Sequence, residues 1–528
     1  MPEHTVETVP ARVKFESIRR FRDPIHDYMP FGPLVCSIID TPQFQRLRNV
    51  KQLGTSYYVW AGASHNRFEH CLGVAYLAQT IIRHLQQAQP ELDITDKEVD
   101  CVTIAGLCHD LGHGPWSHVW DGIFIPNALP DCKWKHEDAS EMMFKDLVEN
   151  NNIPLLEDDI HLIMALIAGD HSRCKDAKRF LFDIVANKRN GLDVDKFDYI
   201  ARDSRVVFDK GFTSITRLID SSRVIEDQIC YNIKDANQVY ELYYTRFSLH
   251  KQIYNHKTAK AIEYMIVDAL LAAEPVMQFA KHIHDPKKFL YLTDEIRTRI
   301  ESSEDPRLAE AQRIFERINT RDLYKAVDYK IFPWSYIASC KSYFTPDAIV
   351  AAAKKLNNNS EDDVGSSNIE NLDAKHVIVD LSPMHYGMQD RNPLDNVKFY
   401  SKHKPNVCLH AGPGDISLLM PEFFGEVLLR IYTRESCFFG LIQAGYRECL
   451  KHFKPDIMSL GLGTPPPNPR APLSRSASRT SLFGADEPFT DNHFTSVPKN
   501  YQPASPKGAK RSREEKGNSP NKRRVSMH

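Results

Sequence analysis

The stretch "CVTIAGLCHDLGHGPWSH", residues 101–118, decides how this chain is read. Its first half is an apolar run at helical spacing, and its second half packs His109, Asp110, His113 and His118 around Gly112 and Gly114. Ionisable side chains are rarely interior unless they are paired or bind a metal. Four of them at the end of a buried helix therefore mark a site. His109 and His113, at i and i+4, are expected to share one helical face, with the glycines letting backbone approach a ligand.

Working outward, "HNRFEH" places Arg67 and His70 at i and i+3 ahead of another apolar helix. "NGLDVDKFDYIARD" sets Asp195, Tyr199, Arg202 and Asp203 along one stripe, with Lys196 beside it and Phe197 and Ile200 interleaved. His70, His109, Asp110 and Asp195 would form a two-histidine, two-carboxylate set. Such mixed ligation suits Fe, Mn or Zn, and ligand type alone does not choose among them. A metal held this way polarises a phosphoryl oxygen or acidifies a water. The neighbouring cations Arg67, Lys196 and Arg246 favour a phosphate substrate. Arg246, His250, Tyr254 and Lys257 in "TRFSLHKQIYNHK" are expected on one helical face. His113, His118, Asp121, His136 and Glu137 are proton-transfer candidates, read as the pairs His118 with Asp121 and His136 with Glu137. For each residue taken singly the plain alternative is structural, a capped helix end or a solvated charged face.

The chain of 528 residues is 42% hydrophobic and 26% charged with a net charge of −2, which gives a large globular core and excludes a surface built wholly for nucleic acid. "MPEHTVETVP" has neither the basic nor the apolar region of a secretory signal, and no run is long enough to span a bilayer, so an intracellular, soluble protein is expected. Eleven cysteines without a C-x-x-C pair fit a reducing compartment.

Along the chain, residues 1–20 read as a polar arm and 21–275 as a mainly helical core. Residues 276–454 read as a smaller α+β lobe, with "KHVIVDLS" and "NVKFYSK" as strands and "KLNNNSEDDVGSSNIEN" as a flexible loop. The fold class is thus mainly α. Residues 455–528, rich in Pro, Ser and Arg, are expected to be a disordered tail. Within it "KRSREEKGNSPNKRR" has the layout of a bipartite nuclear import signal, so an import receptor, a weak nucleic-acid contact and a nuclear location are expected, with the cytoplasm as the alternative. Ser478, Ser505 and Ser519 look like kinase sites beside that basic segment.

His70, then His109-Asp110, then Asp195, is the H…HD…D signature of HD-domain phosphohydrolases. "DPIH", "IIDTPQFQRLRNVKQLG", "YYVWAGASHNRFEHCLGVAYLA" and "YGMQDRNPLDNVKFY" carry the likeness further. From about Phe21 to Phe453 the chain resembles the SAM-and-HD-domain deoxynucleoside triphosphate triphosphohydrolases, here expected without the SAM domain. That resemblance implies cleavage of a dNTP to deoxynucleoside and inorganic triphosphate. It implies His70, His109, Asp110 and Asp195 as metal ligands. Arg67, Lys196, Tyr199 and Arg246 would hold the triphosphate with Mg²⁺, and His250 would join the substrate site. Gln52 and Asp203 would meet the 3′-hydroxyl, while Leu53 and Tyr254 would exclude a 2′-hydroxyl. His118 would be the leaving-group acid, with His136 the runner-up and His113 beside them at the α-phosphate.

The same resemblance implies a homo-oligomer, dimer or tetramer, activated by GTP and a dNTP. Asp40, Gln45 and Arg48 would read guanine, with Arg223, Lys234, His256 and Lys257 around a second nucleotide. There the pattern breaks, since Arg20, Arg22, Asn232 and Gln238 depart from the family's residue types. The segment between Glu137 and Asn187 also reads as shorter than in the family. The alternatives are an HD phosphohydrolase acting on another nucleotide and a nucleic-acid-binding protein that retains the fold.

Overall fold

A computed structural model describes residues 18–208, 215–358, 369–412 and 414–455, all within one compact unit. The expected arm before residue 18, most of the expected loop, and the tail with its import and kinase motifs lie outside the described residues.

Helices dominate: α1 (Arg67–Ala88), α2 (Asp96–Cys108), α3 (His136–Asn150), α4 (Glu157–Ala168), α5 (Val194–Phe208), α6 (Ala236–Leu249) and α7 (Lys257–Met277). Reciprocal capping boxes start the first two, Asn66 with Glu69 and Thr95 with Glu98. Each satisfies otherwise orphaned amides and contributes about 1 kcal/mol. Helix α1 packs against α2 and α5. Small residues permit the first contact, Gly106 lying against Val74, Ala75 and Ala78. At the second, a Cβ on Gly73 would fall 1.8 Å from Asp198 Oδ1, so no larger residue is compatible with this crossing.

Strands β1 (Arg19–Asp23) and β2 (Asp27–Phe31) form an antiparallel hairpin, so the end of the expected arm is already sheet. A second sheet has the order β3-β4-β7-β8, from Arg223–Ile225, Gln228–Asn232, Lys398–Ser401 and Lys404–His410, with β4 and β7 parallel. The third sheet is antiparallel with β9 (Gly425–Thr433) between β5 (Lys325–Pro333) and β6 (Val377–His385). Both runs read as strands from sequence are strands, β6 and β7. The strands β1 to β4, within residues 19–232, add short sheet to the mainly helical reading of that region. They are three to five residues long, too short for alternation to register.

Helices α8 (Ala309–Asn319), α9 (Pro346–Asn358) and α10 (Phe439–His452) complete the described elements used below. Ile349, Ala353, Ile442 and Tyr446 on α9 and α10 close a core over Val327, Leu429 and Ile431 of the third sheet. Two sequence boundaries move. The first residues of the expected polar loop, 355–358, end α9, and α7 runs through the boundary expected at residue 275. Among the described residues no helix is long and apolar enough to cross a membrane.

Candidate active site

Helix α2 ends at Cys108, not beyond His113, because Gly112, Gly114 and Pro115 break it. His109 is its C-cap residue, so the shared i, i+4 face expected for His109 and His113 does not exist. The turn does more than a helix would. A Cβ on Gly112 would meet the His136 carbonyl at 2.1 Å, and one on Gly114 would meet the Trp120 ring at 2.4 Å. The segment is thereby pressed against the start of α3. Trp116 and Ser117 follow with φ of 52° and 57°, a left-handed pair that non-glycine residues adopt only when held there. Asp294 Oδ1 accepts from the Trp116 amide at 2.7 Å, and Ser117 Oγ donates to the Lys51 carbonyl at 2.6 Å.

At the floor, ring nitrogens and carboxylates converge. His70 Nε2 lies 3.2 Å from Asp195 Oδ1 and 3.5 Å from Asp110 Oδ2. His109 Nε2 lies 3.4 Å from Asp110 Oδ1 and 3.5 Å from Asp195 Oδ1. Both Nε2 atoms are buried without a hydrogen-bond partner among the described residues. The opposite ring nitrogens are engaged, His70 Nδ1 with Asp198 at 2.8 Å and His109 Nδ1 with the Gly106 carbonyl at 2.8 Å. Orienting one imidazole nitrogen so that the other is presented is how proteins prepare a histidine for metal. Burial opposes charge on His70, but Asp195 and Asp198 raise it to about 10. That surplus of negative potential is the electrostatic counterpart of a bound cation, and the four residues fit a transition-metal ion.

Asp198 was not found from sequence. It is completely buried and also accepts from His26 Nε2 at 2.6 Å and from Arg202 Nε at 2.9 Å, while Arg202 reaches on to Asp23 at 2.8 Å. Arg202 therefore does not line the cavity but lies behind the floor, on the Asp198 carboxylate that holds His70. The available signal was Asp195 and Asp198 at i, i+3, with Arg202 one turn beyond Asp198.

Above the floor lies a cavity of about 800 Å³. Gln52, Leu53, Arg67, Lys196, Tyr199, Asp203, Arg246, His250 and Tyr254 all line it, as do Asp110, Asp195 and the three histidines His113, His118 and His136. Arg67 is buried and donates to Asp110 Oδ2 and to Ser117 Oγ, so its charge first serves the floor. Lys196 Nζ is held by Asp193 at 3.0 Å, and Arg246 Nη1 by the His385 carbonyl at 2.6 Å. Asp203 accepts from Tyr254 OH at 2.5 Å and contacts His65 Nε2 at 2.8 Å, another partner that sequence reasoning missed. Gln52 Oε1 is buried and unpartnered. Arg246, His250 and Tyr254 converge through a π turn over His250–Tyr254. The chain then breaks at Asn255 and His256, so Lys257 begins α7 outside the cavity, contrary to the single face expected.

The proton-transfer pairs also change. Asp121 Oδ2 bonds His136 Nδ1 at 2.5 Å, whereas Glu137, half exposed, is 3.6 Å away and does not line the cavity. His118 Nδ1 is 3.4 Å from Asp121 Oδ1, and its side chain is 72% exposed at the mouth. His136 is stacked on His113 at 4.0 Å. Burial works against charge on His136, but the Asp121 bond raises its pKa. Burial together with Arg67 and His136 holds His113 well below the usual histidine range, so His113 is neutral.

None of the residues expected around regulatory nucleotides lines the cavity. Asp40 is taken by both Arg19 Nη atoms at 2.7 Å, and Arg48 Nε donates to Gln45 Oε1 at 2.8 Å. Arg223 lies in β3, Lys234 in the turn after β4, and His256 caps α7.

A helical bundle presenting two histidines and two aspartates in this order defines an HD-domain protein. Residues 67–203 match the HD domain family and residues 214–394 the HD associated region. The chain is 40% identical over 486 residues to deoxynucleoside triphosphate triphosphohydrolase SAMHD1 of Bos taurus, covering 85% of this chain and 81% of that protein. The Homo sapiens protein of that name is 40% identical over 460 residues, 80% of this chain and 72% of the other. The SAMHD1 homolog of Dictyostelium discoideum is 37% identical over 438 residues, 83% and 81% of the two chains. This chain belongs to the SAMHD1 family of deoxynucleoside triphosphate triphosphohydrolases.

Proposed function

We propose that this chain hydrolyses dNTPs to deoxynucleoside and inorganic triphosphate. The carrying observation is the pair of orphaned Nε2 atoms of His70 and His109, facing Asp110 and Asp195 beneath a cavity walled by Lys196, Tyr199 and Arg246. His70, His109, Asp110 and Asp195 would hold the transition metal, Fe, Zn or Mn. When bound, it supplies Lewis-acid polarisation of a phosphoryl oxygen and an acidified water.

The chain's own residues do the rest. Lys196, Tyr199 and Arg246 hold the triphosphate, with Arg67 behind them, and Mg²⁺ would offset the remaining phosphate charge. Gln52 and Asp203 fix the 3′-hydroxyl, and Leu53 and Tyr254 leave no room for a 2′-hydroxyl. His136, kept protonated by Asp121, opposes negative charge at the α-phosphate. His118, backed by the same carboxylate, protonates the departing 5′-oxygen. The P–O5′ bond breaks, the water oxygen ends in the triphosphate, the 5′-oxygen leaves with the deoxynucleoside, and the dNTP pool falls as its members are consumed.

The test is hydrolysis of each dNTP by metal-loaded protein in ¹⁸O-water, with products resolved. Labelled triphosphate plus deoxynucleoside is expected. Monophosphate products would assign the chain to an HD phosphohydrolase acting differently. Absence of products with metal bound would leave nucleic-acid binding as the reading.

Family membership supports activation by GTP and a second dNTP, within a dimer or tetramer. Dependence of rate and sedimentation on GTP tests this. The basic tail supports nuclear import through an import receptor, with a weak nucleic-acid contact. Deleting residues 456–528 is expected to leave hydrolysis intact and shift the protein to the cytoplasm.

A further inference from the structure

The cavity is longer than the catalytic residues require. Strand β6 runs along it, with the His385 carbonyl on Arg246 at the triphosphate end and Val379 to Pro383 lining the wall farther on. Five residues separate His385 from Asp380, about 16 Å at strand rise. The far wall thus stands where an extended nucleotide bound by Arg246 would place its base. Facing it is the first part of α7, positioned by the third sheet: Arg430 Nη1 donates to the Asn255 carbonyl at 3.0 Å and Tyr432 OH to the Lys257 carbonyl at 3.0 Å.

That end of the cavity carries an ion pair the mechanism does not use. Lys260 Nζ lies 2.8 Å from Glu263 Oε2, with side chains only 16% and 14% exposed. Among the described residues neither side chain has a second hydrogen-bond partner. Asp380, by contrast, is filled by Tyr264 OH at 2.8 Å and Ser382 Oγ at 3.1 Å. A half-buried ion pair with spare donors and an open acceptor is costly to keep unless something completes it.

Resting on the dNTP reading above, we infer that Lys260 and Glu263 read the base, and that they select the keto bases guanine and thymine. A cationic donor next to an anionic acceptor complements an edge that offers a carbonyl oxygen next to a ring N–H. Guanine presents O6 beside N1–H and thymine O4 beside N3–H. Adenine and cytosine present an amino donor beside an unprotonated ring nitrogen, which sets donor against Lys260 and acceptor against Glu263.

The test is kcat/KM of the metal-loaded full chain for the four dNTPs, deoxyinosine triphosphate and 2,6-diaminopurine deoxynucleoside triphosphate. Expected is a preference of about tenfold or more for dGTP and dTTP over dATP and dCTP, the size of a lost charge-assisted hydrogen bond. Deoxyinosine triphosphate, with the keto edge and no 2-amino group, should follow dGTP; the diaminopurine nucleotide should follow dATP. The double variant Lys260→Met/Glu263→Gln should bring the ratio of dGTP to dATP toward one. Equal rates for all four dNTPs, deoxyinosine triphosphate following dATP, or a ratio unmoved in the folded double variant would overturn this inference while hydrolysis stands. Hydrolysis of no dNTP would instead overturn the proposed function, and this inference with it.

Discussion

At the cavity floor, His70 Nε2 and His109 Nε2 are buried without a hydrogen-bond partner among the described residues, whereas on the surface Asp40, Gln45 and Arg48 already have partners. The floor is enclosed by α1, α2 and α5, where the Asp198 carboxylate and the Gly106 carbonyl each fix one nitrogen of an imidazole and leave the other free. The surface group is held by exposed pairs that water can replace. A buried deficit calls for a group from outside the chain; a satisfied exposed pair stands by itself. The residues that line the cavity and its floor come from several elements of this one chain. A nucleotide at Asp40 would first have to displace Arg19, and the cavity supplies it no wall.

The hardest blow to this contrast is Asp110→Asn. It takes a carboxylate from both His nitrogens and leaves Arg67 buried without its anion. Bound metal and hydrolysis should fall together, by three orders of magnitude or more in rate, with a stability loss of about 3 kcal/mol. Metal analysis beside calorimetry reads both. An Asp110→Asn protein that keeps its metal would dissolve the contrast.

His118→Asn should cost about 10²- to 10⁴-fold in kcat, with metal content unchanged. Asp198→Asn sharpens the floor's side of the comparison, because Asp198 touches no substrate. Metal affinity measured by competition should drop about 10- to 100-fold while triphosphate binding holds.

The Asp121 and His136 pair gives a pH signature. His136 is raised by Asp121, so its share of stability is full below the ordinary histidine pKa and is lost as pH rises through its folded value. Asp121 is lowered, so its share is present above the ordinary carboxylate pKa and is lost as pH falls toward its folded value. The melting-temperature gap between wild type and His136→Asn should thus be widest roughly between the ordinary carboxylate and histidine pKa values, about pH 4 to 6.5, and narrow as pH rises through the folded His136 value. The smallest effect belongs to the surface. Asp40→Ala should change stability by less than about 1 kcal/mol, because its pair with Arg19 is exposed.

The sequence by itself determined the helical class and the ligand types. Its apolar period of 3.6 survives any packing, and four ionisable residues beside glycines have few other uses. It also carried the long motifs whose family the comparisons bear out. It could not determine partners across the chain. The i, i+4 reading of His109 and His113 failed because Gly112 and Gly114 let the turn press on His136 and Trp120, contacts formed 20 or more residues away for the first and within the same turn for the second. Glu137 was chosen for His136 by adjacency; Asp121 won because a π turn over Trp120–Phe124 carries it back under the ring. Asp198, His26 and Arg202 looked like ordinary charges until tertiary packing removed their water. Only the tertiary structure decided which nitrogen of each histidine is left free, because that depends on which oxygen stands behind the other, and periodicity along one chain segment holds no information about a neighbour arriving from another.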